Sequence, residues 1–431
     1  MKKHVTKLKR ELNLFEIVMY GVGIILGAGI YALIGEGAAL AGNALWLAFG
    51  LAALIACFTG LSYAELSSMY PKEAAEYVYT KKAFNKKYLS FIVIWILLIA
   101  GIVSSAVVAL GFGGYLSNIT GIPKIAGAII LIACMSLINF YGMKESSKMN
   151  IISTIIEILG LVIIVVIGFM FFNPKIDYFY APMGFEGIIS ATALIFFAFI
   201  GFESIANISE EAKKARKIIP LGLVIALVIS TAIYMVVSVA AVSVSGAEAL
   251  SESHAPMTDI TSKAFGPDAG IIMSIIALFA TGNTVLIILI VTSRILYGTA
   301  QNRALPKILC RLHKKRKTPY ISIFLVMLLA VLVALPGNIK LIASLTDIGI
   351  FIVYFFVNVS LIWLRFRRPK EKRAFRSPIN IGKFPVLALL GALSTFFMLF
   401  YFDYTIVLME LGVIVIGFLV YTLLEKKILK R

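Results

Sequence analysis

Histidine and cysteine are nearly missing from this chain of 431 residues, which has three of each. His4, His254 and His313 all fall in stretches that read as tails or loops, so no histidine-based catalytic or metal cluster can be assembled among the apolar segments. Cys57, Cys134 and Cys310 are too scattered for a disulfide framework or a metal site, and read as small apolar packing residues. Charge is scarce as well, at 14% of residues, with 22 acids against 40 bases. Long polar stretches are absent: the widest gap between apolar runs, residues 245–268, carries Gly246, Pro256, Gly266 and Pro267. It reads as a surface loop with room for one short helix, since it is shorter than any independently folding domain. Residues 1–10 are basic and lead into the first apolar run without a small-residue cleavage site, which suits a cytoplasmic flank and not a signal peptide or lipidation signal.

What fills the chain is apolar. Hydrophobic residues make up 60% of it and the mean hydropathy is +0.97, far from the composition of a soluble domain. A membrane span needs about 20 apolar residues. On that criterion the chain is an all-α polytopic membrane protein of about twelve transmembrane helices. The first half is predicted to hold spans at 14–36, 40–69, 88–117, 123–142, 149–172 and 185–210. The second half is predicted to hold 219–245, 268–302, 320–336, 341–365, 384–402 and 404–425.

A net charge of +18 would raise nucleic acid as a partner in a soluble protein, but the placement of the charge points to membrane topology. With an inside N-terminus, the inside segments hold 35 Lys and Arg, and the outside loops hold only Lys124, Lys175, Lys263 and Lys340. The remaining base, Arg294, lies within a span, where it is expected to snorkel or pair near the inner end. This is the positive-inside pattern, which places both termini in the cytoplasm of a multi-pass cell-membrane protein. The runs 313–317 and 365–376 are then topology signals beside anionic lipid.

Two apolar stretches break where a membrane helix would stay wound. In the first, Gly27-Ala28-Gly29-Ile30 follows Gly21 and Gly23, and short residues let the backbone leave helical geometry cheaply. Amides of Ala28 and Gly29 exposed at the start of a half-helix suit a carboxylate. The competing reading is a Gly23/Gly27 GxxxG packing surface. In the sixth span, Phe197-Ala198-Phe199-Ile200-Gly201-Phe202-Glu203 places a glycine and an acid inside an apolar helix. Unwound carbonyls at Phe197, Ala198 and Ile200, with Ile25 opposite, suit an ammonium group. Amide donors facing bare carbonyls make a site for a zwitterion, and paired breaks in the two halves of a chain point to a transporter.

An acid in a membrane span is costly unless paired, hydrated or protonated. Glu203 and Glu157 are therefore candidate protonation sites for coupling, each with the alternative of a capped or paired structural acid. Ser104, Ser105, Thr281, Asn283, Thr292, Ser293 and Asp347 are candidates for lining the cavity or bridging helices. An acidic lining from Glu203 favours a cationic substrate, and an apolar one from Phe197, Phe202 and Ile288 a neutral one.

The chain resembles the amino acid-polyamine-organocation permeases nearly end to end. The resemblance is carried by Gly27 to Ile30, Glu65-Leu66 with Met69-Tyr70-Pro71-Lys72, Asn139 to Ser146, Phe196 to Pro220, and Thr281 to Thr284 continuing through Ser293-Arg294-Ile295-Leu296-Tyr297 to Thr318-Pro319-Tyr320. It implies the leucine-transporter fold, with an inverted five-helix repeat at 14–172 and 185–365. Helices 1 and 6 are discontinuous, peripheral helices 11 and 12 lie at 384–425, and cytoplasmic ends lie at 1–13 and 426–431. By position, the resemblance puts the substrate carboxylate on Ala28 and Gly29 and its amino group on the carbonyls of Ile25, Phe197 and Ile200. It makes Phe197 an aromatic gate, and the residues themselves make Gly27 and Gly201 the breaks and Ser104, Ser105, Asn283 and Ile288 candidates for the pocket of the substrate's side chain.

The resemblance has two departures. Glu73-Ala74-Ala75-Glu76 replaces a Ser-Gly-Gly found in many relatives, and Glu157 stands where some proton-coupled relatives carry a lysine. The expected function is secondary amino acid transport by alternating access, coupled to a proton or another cation, with no cofactor, metal or nucleic acid and as monomer or homodimer. Exchange of one amino acid for another or for a polyamine is the nearest alternative. A sensor or a channel on the same scaffold is further off, and an enzyme is not expected.

Overall fold

A computed structural model describes residues 10–253, 255–336, 339–402 and 404–429. His4, His254, most of the 1–13 flank, the last two residues of the tail and the Lys340 side chain lie outside the described parts. Helix α1 spans Leu14–Leu26. It starts where it does because Asn13 and Glu16 cap each other: the Glu16 amide donates to Asn13 Oδ1 (3.1 Å) and the Asn13 amide to Glu16 Oε2 (2.7 Å). After Gly27 the chain resumes as α2 (Ala28–Ala41), and a 3-10 turn at Gly42–Ala44 leads into α3 (Leu45–Met69).

Then follow α4 (Ala75–Phe84), α5 (Lys87–Thr120), α6 (Lys124–Tyr141), α7 (Met143–Met170) and α8 (Gly184–Ile195). Two 3-10 segments, Phe196–Phe199 and Phe202–Glu211, complete the sixth span. The second half comprises α9 (Ala215–Ser245), α10 (Ala247–Glu252), α11 (Pro256–Phe265), α12 (Pro267–Gln301), α13 (Tyr320–Ala334), α14 (Ile339–Arg367), α15 (Val386–Met398) and α16 (Tyr404–Leu429). A two-residue antiparallel hairpin pairs Asn380–Ile381 with Phe384–Pro385.

Ten helices among the described residues are long and apolar enough to cross a membrane, and Tyr320–Ala334 and Val386–Tyr401 are shorter apolar helices. The protein is thus an all-α polytopic membrane protein. Several details differ from the sequence reading. The loop at 245–268 forms two short helices, α10 and α11, of which α11 starts at Pro256, while Pro267 starts α12. Helix α9 begins at Ala215, ahead of Pro220. The segment after Pro71 winds into α4 once Ala74 takes a left-handed turn (φ 53°).

Helices α3 and α9 pack along each other, as do α5 and α12, with α1 wedged against α7, α9 and α12. The outer faces of α7 and α16 present Ile155, Leu159, Val162, Leu411 and Val415 outward, exposed by 46–58%, as lipid-facing helices must. The end of the bundle that carries most of the bases is laced by buried ion pairs. Glu65 on α3 accepts from Arg365 Nη2 (2.6 Å), Arg373 Nε (2.9 Å) and the Ser377 amide (2.8 Å). Arg294, expected to snorkel or pair, takes the second course: it is buried, with Nε 2.8 Å from Glu211 and Nη1 2.7 Å from Asn139. Both pairs hold elements far apart in sequence, and removing one partner strands a buried charge. Glu65→Ala is expected to destabilise the protein by about 3–5 kcal/mol, measured by thermal unfolding in detergent, and Lys72→Ala, at an exposed pair, by less than about 1 kcal/mol.

Candidate functional site

The two breaks meet. At Gly27 the backbone leaves helical geometry (φ −45°, ψ −144°) between α1 and α2. In the sixth span Ile200 is extended (φ −61°, ψ 136°) and Gly201 sits at φ +119°, a conformation that L side chains avoid. Gly29 lies so close to the other break that a Cβ there would stand 2.5 Å from Ala198 Cα, and a Cβ on Gly201 would stand 2.7 Å from Ile24 Cγ1. The absence of these side chains is what lets the interrupted segments touch.

Between them lies a cavity of about 70 Å³. Of the residues singled out from sequence, Ile25, Ala28, Gly29, Phe197, Ile200, Gly201, Glu203, Ser104, Ile288 and Thr292 line it. Ser105, Asn283 and Gly27 do not. The Ser105 hydroxyl turns back onto the Ile102 carbonyl (2.7 Å), and Asn283 donates to Thr154 (3.1 Å) on the far side of α1. Gly27 faces Thr284 and Gly23 faces Thr154, so the glycines of α1 also serve close packing. Thr281 and Ser293 bond carbonyls of their own helix, Phe202 is fully buried outside the cavity, and Asp347 is buried outside it as well. The remaining wall is mostly apolar, built largely by Leu97, Ala100, Val108, Val291, Ile295 and Ile350, with the hydroxyls of Ser204, Thr284 and Thr346 among them.

Several of the backbone groups at the breaks have protein partners, as the bilayer interior favours. The Ala28 amide donates to Thr284 Oγ1 (3.2 Å). The Tyr234 hydroxyl lies within hydrogen-bond distance of the carbonyls of Ile25 and Ala198, the latter at 3.0 Å, with its one proton shared between them. The Phe197 carbonyl accepts from the Ile200 amide (3.1 Å). Thr284 and Tyr234 escaped sequence reasoning as site residues: Thr284 sits in the Thr281–Thr284 block, whereas nothing around Tyr234 in α9 sets it apart from a packing aromatic.

The two candidate coupling acids differ, and Asp347 and Glu410 are further buried acids within the spans, each with one carboxyl oxygen unpartnered among the described residues. Glu203 accepts from the Gly201 amide (2.9 Å) and from the Tyr354 hydroxyl, so it caps the break itself. Glu157, fully buried on α7, has no hydrogen-bond partner on either carboxyl oxygen among the described residues. The Asn283 amide faces that carboxyl, yet its nitrogen bonds Thr154. The Tyr31 hydroxyl lies 3.5 Å from the Glu157 carbonyl.

A multi-pass helical bundle with two broken helices enclosing a mostly apolar cavity is the architecture of a small-solute carrier. The family described as amino acid permease matches residues 12–423, and the chain belongs to that family, within the amino acid-polyamine-organocation superfamily. It is similar to the branched-chain amino acid permease BcaP of Bacillus subtilis (strain 168), at 28% identity over 97% of this chain and 94% of that one. It is also similar to the methylthioribose transporter of the same organism, at 28% identity over 89% and 87%. Cationic amino acid transporter 4 of Mus musculus is 28% identical over 86% of this chain and 63% of its own length. These relatives are permeases and transporters, not enzymes, and amino acid transport is the activity class of this chain.

Gly29→Val is expected to push the two breaks apart and reduce saturable amino acid uptake at least tenfold with the protein still inserted, as read by uptake into cells matched for expression. Thr284→Val, which removes the partner of the Ala28 amide, is expected to reduce it less.

Proposed function

We propose that this protein is a secondary active carrier for a neutral aliphatic amino acid, working by alternating access and coupled to a proton. What carries the reading is the meeting of the two breaks around a wall of aliphatic side chains. The substrate carboxylate would take the amides of Ala28 and Gly29, displacing Thr284 from the former, and its ammonium group the carbonyls of Ile25, Phe197 and Ile200. Phe197 would act as the gate, with Ser104 and Ile288 beside the substrate's side chain. Glu203, the acid in the cavity lining, is already engaged by Gly201 and Tyr354, which argues against a cationic substrate. The likeness to a branched-chain permease agrees.

For the coupling site the reading favours Glu157 over Glu203. A buried carboxyl without a hydrogen-bond partner is costly when charged, so a cycle in which Glu157 binds and releases a proton relieves that cost, whereas Glu203 serves the backbone. The inverted repeat at 14–172 and 185–365 and the cytoplasmic placement of the basic end follow the same reading, the latter from the positive-inside distribution.

The test is uptake into proteoliposomes at two external pH values, with unlabelled amino acids competing. Leucine-like competitors are expected to block uptake and lysine to leave it unchanged. Glu157→Gln is expected to abolish proton-driven accumulation while leaving counterflow. Block by lysine, or an unaltered pH dependence in Glu157→Gln, would overturn the substrate or the coupling assignment respectively. Conductance far above carrier turnover would make the protein a channel, and binding without flux a sensor.

A further inference from the structure

Helix α4, in the connection between α3 and α5, is pinned to the inner half of the broken sixth span by one buried acid. Glu76, in the first turn of α4, is 0% exposed. Its Oε1 accepts from the Tyr63 hydroxyl (3.0 Å) and from Asn207 Nδ2 (3.0 Å), and its Oε2 lies 3.0 Å from the same nitrogen. Asn207 closes the link by accepting the Ala75 amide on Oδ1 (2.9 Å). Alongside, the Glu210 amide donates to Glu73 Oε1 (3.1 Å), and Lys72 pairs with Glu210 (3.0 Å) at the surface. Apart from the Tyr63 contact, which is to α3, these contacts fall on the 3-10 segment Phe202–Glu211, which begins directly after the break at Gly201.

We propose that Glu76 is a proton-binding site on the cytosolic gate, and that its protonated form latches α4 to the 202–211 segment whereas its charged form loosens the latch. The inference rests on the alternating-access reading, in which the inner half of the sixth span must leave α4 for substrate to reach the cytosol. Tyr63 on α3, Tyr79 on α4, Glu203 and Asn207 on 202–211 and Tyr354 on α14 are the polar and titratable groups around it. No Lys or Arg nitrogen lies within ion-pair distance among the described residues, so nothing holds the carboxylate charged. Oε2 has a single contact, shared with Oε1, which leaves it room for a proton while Oε1 keeps both donors.

Burial pushes the Glu76 carboxyl up to about 7, against hydrogen bonds from its own backbone, Asn207 and Tyr63 that pull it down and the nearby Glu203 that adds to the rise. Released to water, the same carboxyl would titrate in the ordinary carboxylate range. The latched state therefore binds the proton more readily than the released one. Its extra stability is fully present below the ordinary carboxylate range and is lost as pH rises through about 7. An acid cytosol thus holds the gate shut, a brake suited to a carrier that brings protons in.

The experiment measures counterflow in proteoliposomes with external pH fixed and internal pH set to 6 or 8, together with hydrogen exchange of residues 202–211 in the wild type, corrected for intrinsic rates. Linkage predicts that the latched-to-released ratio rises about tenfold from pH 8 to pH 6. Exchange in 202–211 is expected to slow accordingly, and counterflow to slow at internal pH 6. Glu76→Gln is expected to show the slow behaviour at both values, and Lys72→Gln to keep the wild-type difference. Wild-type protection of 202–211 that is equal at the two pH values, or a wild-type pH difference surviving in Glu76→Gln, would overturn the latch. Absence of any saturable counterflow in the wild type would overturn the carrier reading instead, and the exchange measurement, which needs no transport and no variant, would still decide the latch.

Discussion

Backbone amides and carbonyls set free inside a bilayer have no water to turn to, and the architecture at the centre of this protein follows from that constraint. Two helices are interrupted where they meet, and several of the groups they release are met by side chains from two other spans and from the sixth span itself. Thr284 on α12 takes the Ala28 amide, Tyr234 on α9 takes the carbonyls of Ile25 and Ala198, and Glu203, steadied by Tyr354 on α14, takes the Gly201 amide. These partners are single hydrogen bonds to hydroxyls and a carboxylate, each worth about 1–3 kcal/mol. A zwitterion offering a carboxylate to the amides and an ammonium to the carbonyls competes for the same groups with charge-assisted bonds, which are roughly twice as strong as neutral ones. The polypeptide thus keeps its broken helices satisfied without making them inaccessible.

The same logic separates the acids. Glu203 lies in the cavity wall but is spent on the backbone. Glu157 lies on the other side of α1, in a polar patch with Asn283, Thr154 and Asn150, and its oxygens are unmatched. Glu65 and Glu211 are matched by Arg365, Arg373 and Arg294 and hold the basic end of the bundle together. An acid with a guanidinium partner is a staple, an acid with a backbone amide is a cap, and an acid with neither is the one for which a change of charge state resolves a cost. Glu76, with neutral donors alone, belongs to this last kind, buried where the sixth span meets α4.

Much of the fold was legible in the sequence because long apolar runs have one main use. Ten spans and two shorter apolar helices fall on the predicted segments, with ends displaced by a few residues, and the short helix α11, which starts at Pro256, lies in the predicted loop. The breaks were legible from glycine and from an acid out of place, at Gly27, Gly201 and Glu203. Side-chain orientation was not legible. Ser104 faces the cavity and its neighbour Ser105 does not, since adjacent residues on a helix differ by about 100° and the sequence carries no mark of which way α5 is turned. Arg294 read as a base that snorkels or pairs, and its partner could not be named because Glu211 is 83 residues away in the chain. The Glu76–Asn207 contact, 131 residues apart, was hidden for the same reason.

The central claim is that the interrupted segments of α1–α2 and of the sixth span grip the substrate's backbone. An experimentally determined structure of the protein bound to its transported amino acid tests it most directly. The account predicts the carboxylate within hydrogen-bond distance of the Ala28 and Gly29 amides, the ammonium group on the carbonyls of Ile25, Phe197 or Ile200, and Thr284 released from Ala28. A substrate seated elsewhere, with the Ala28 amide still bonded to Thr284, would contradict it.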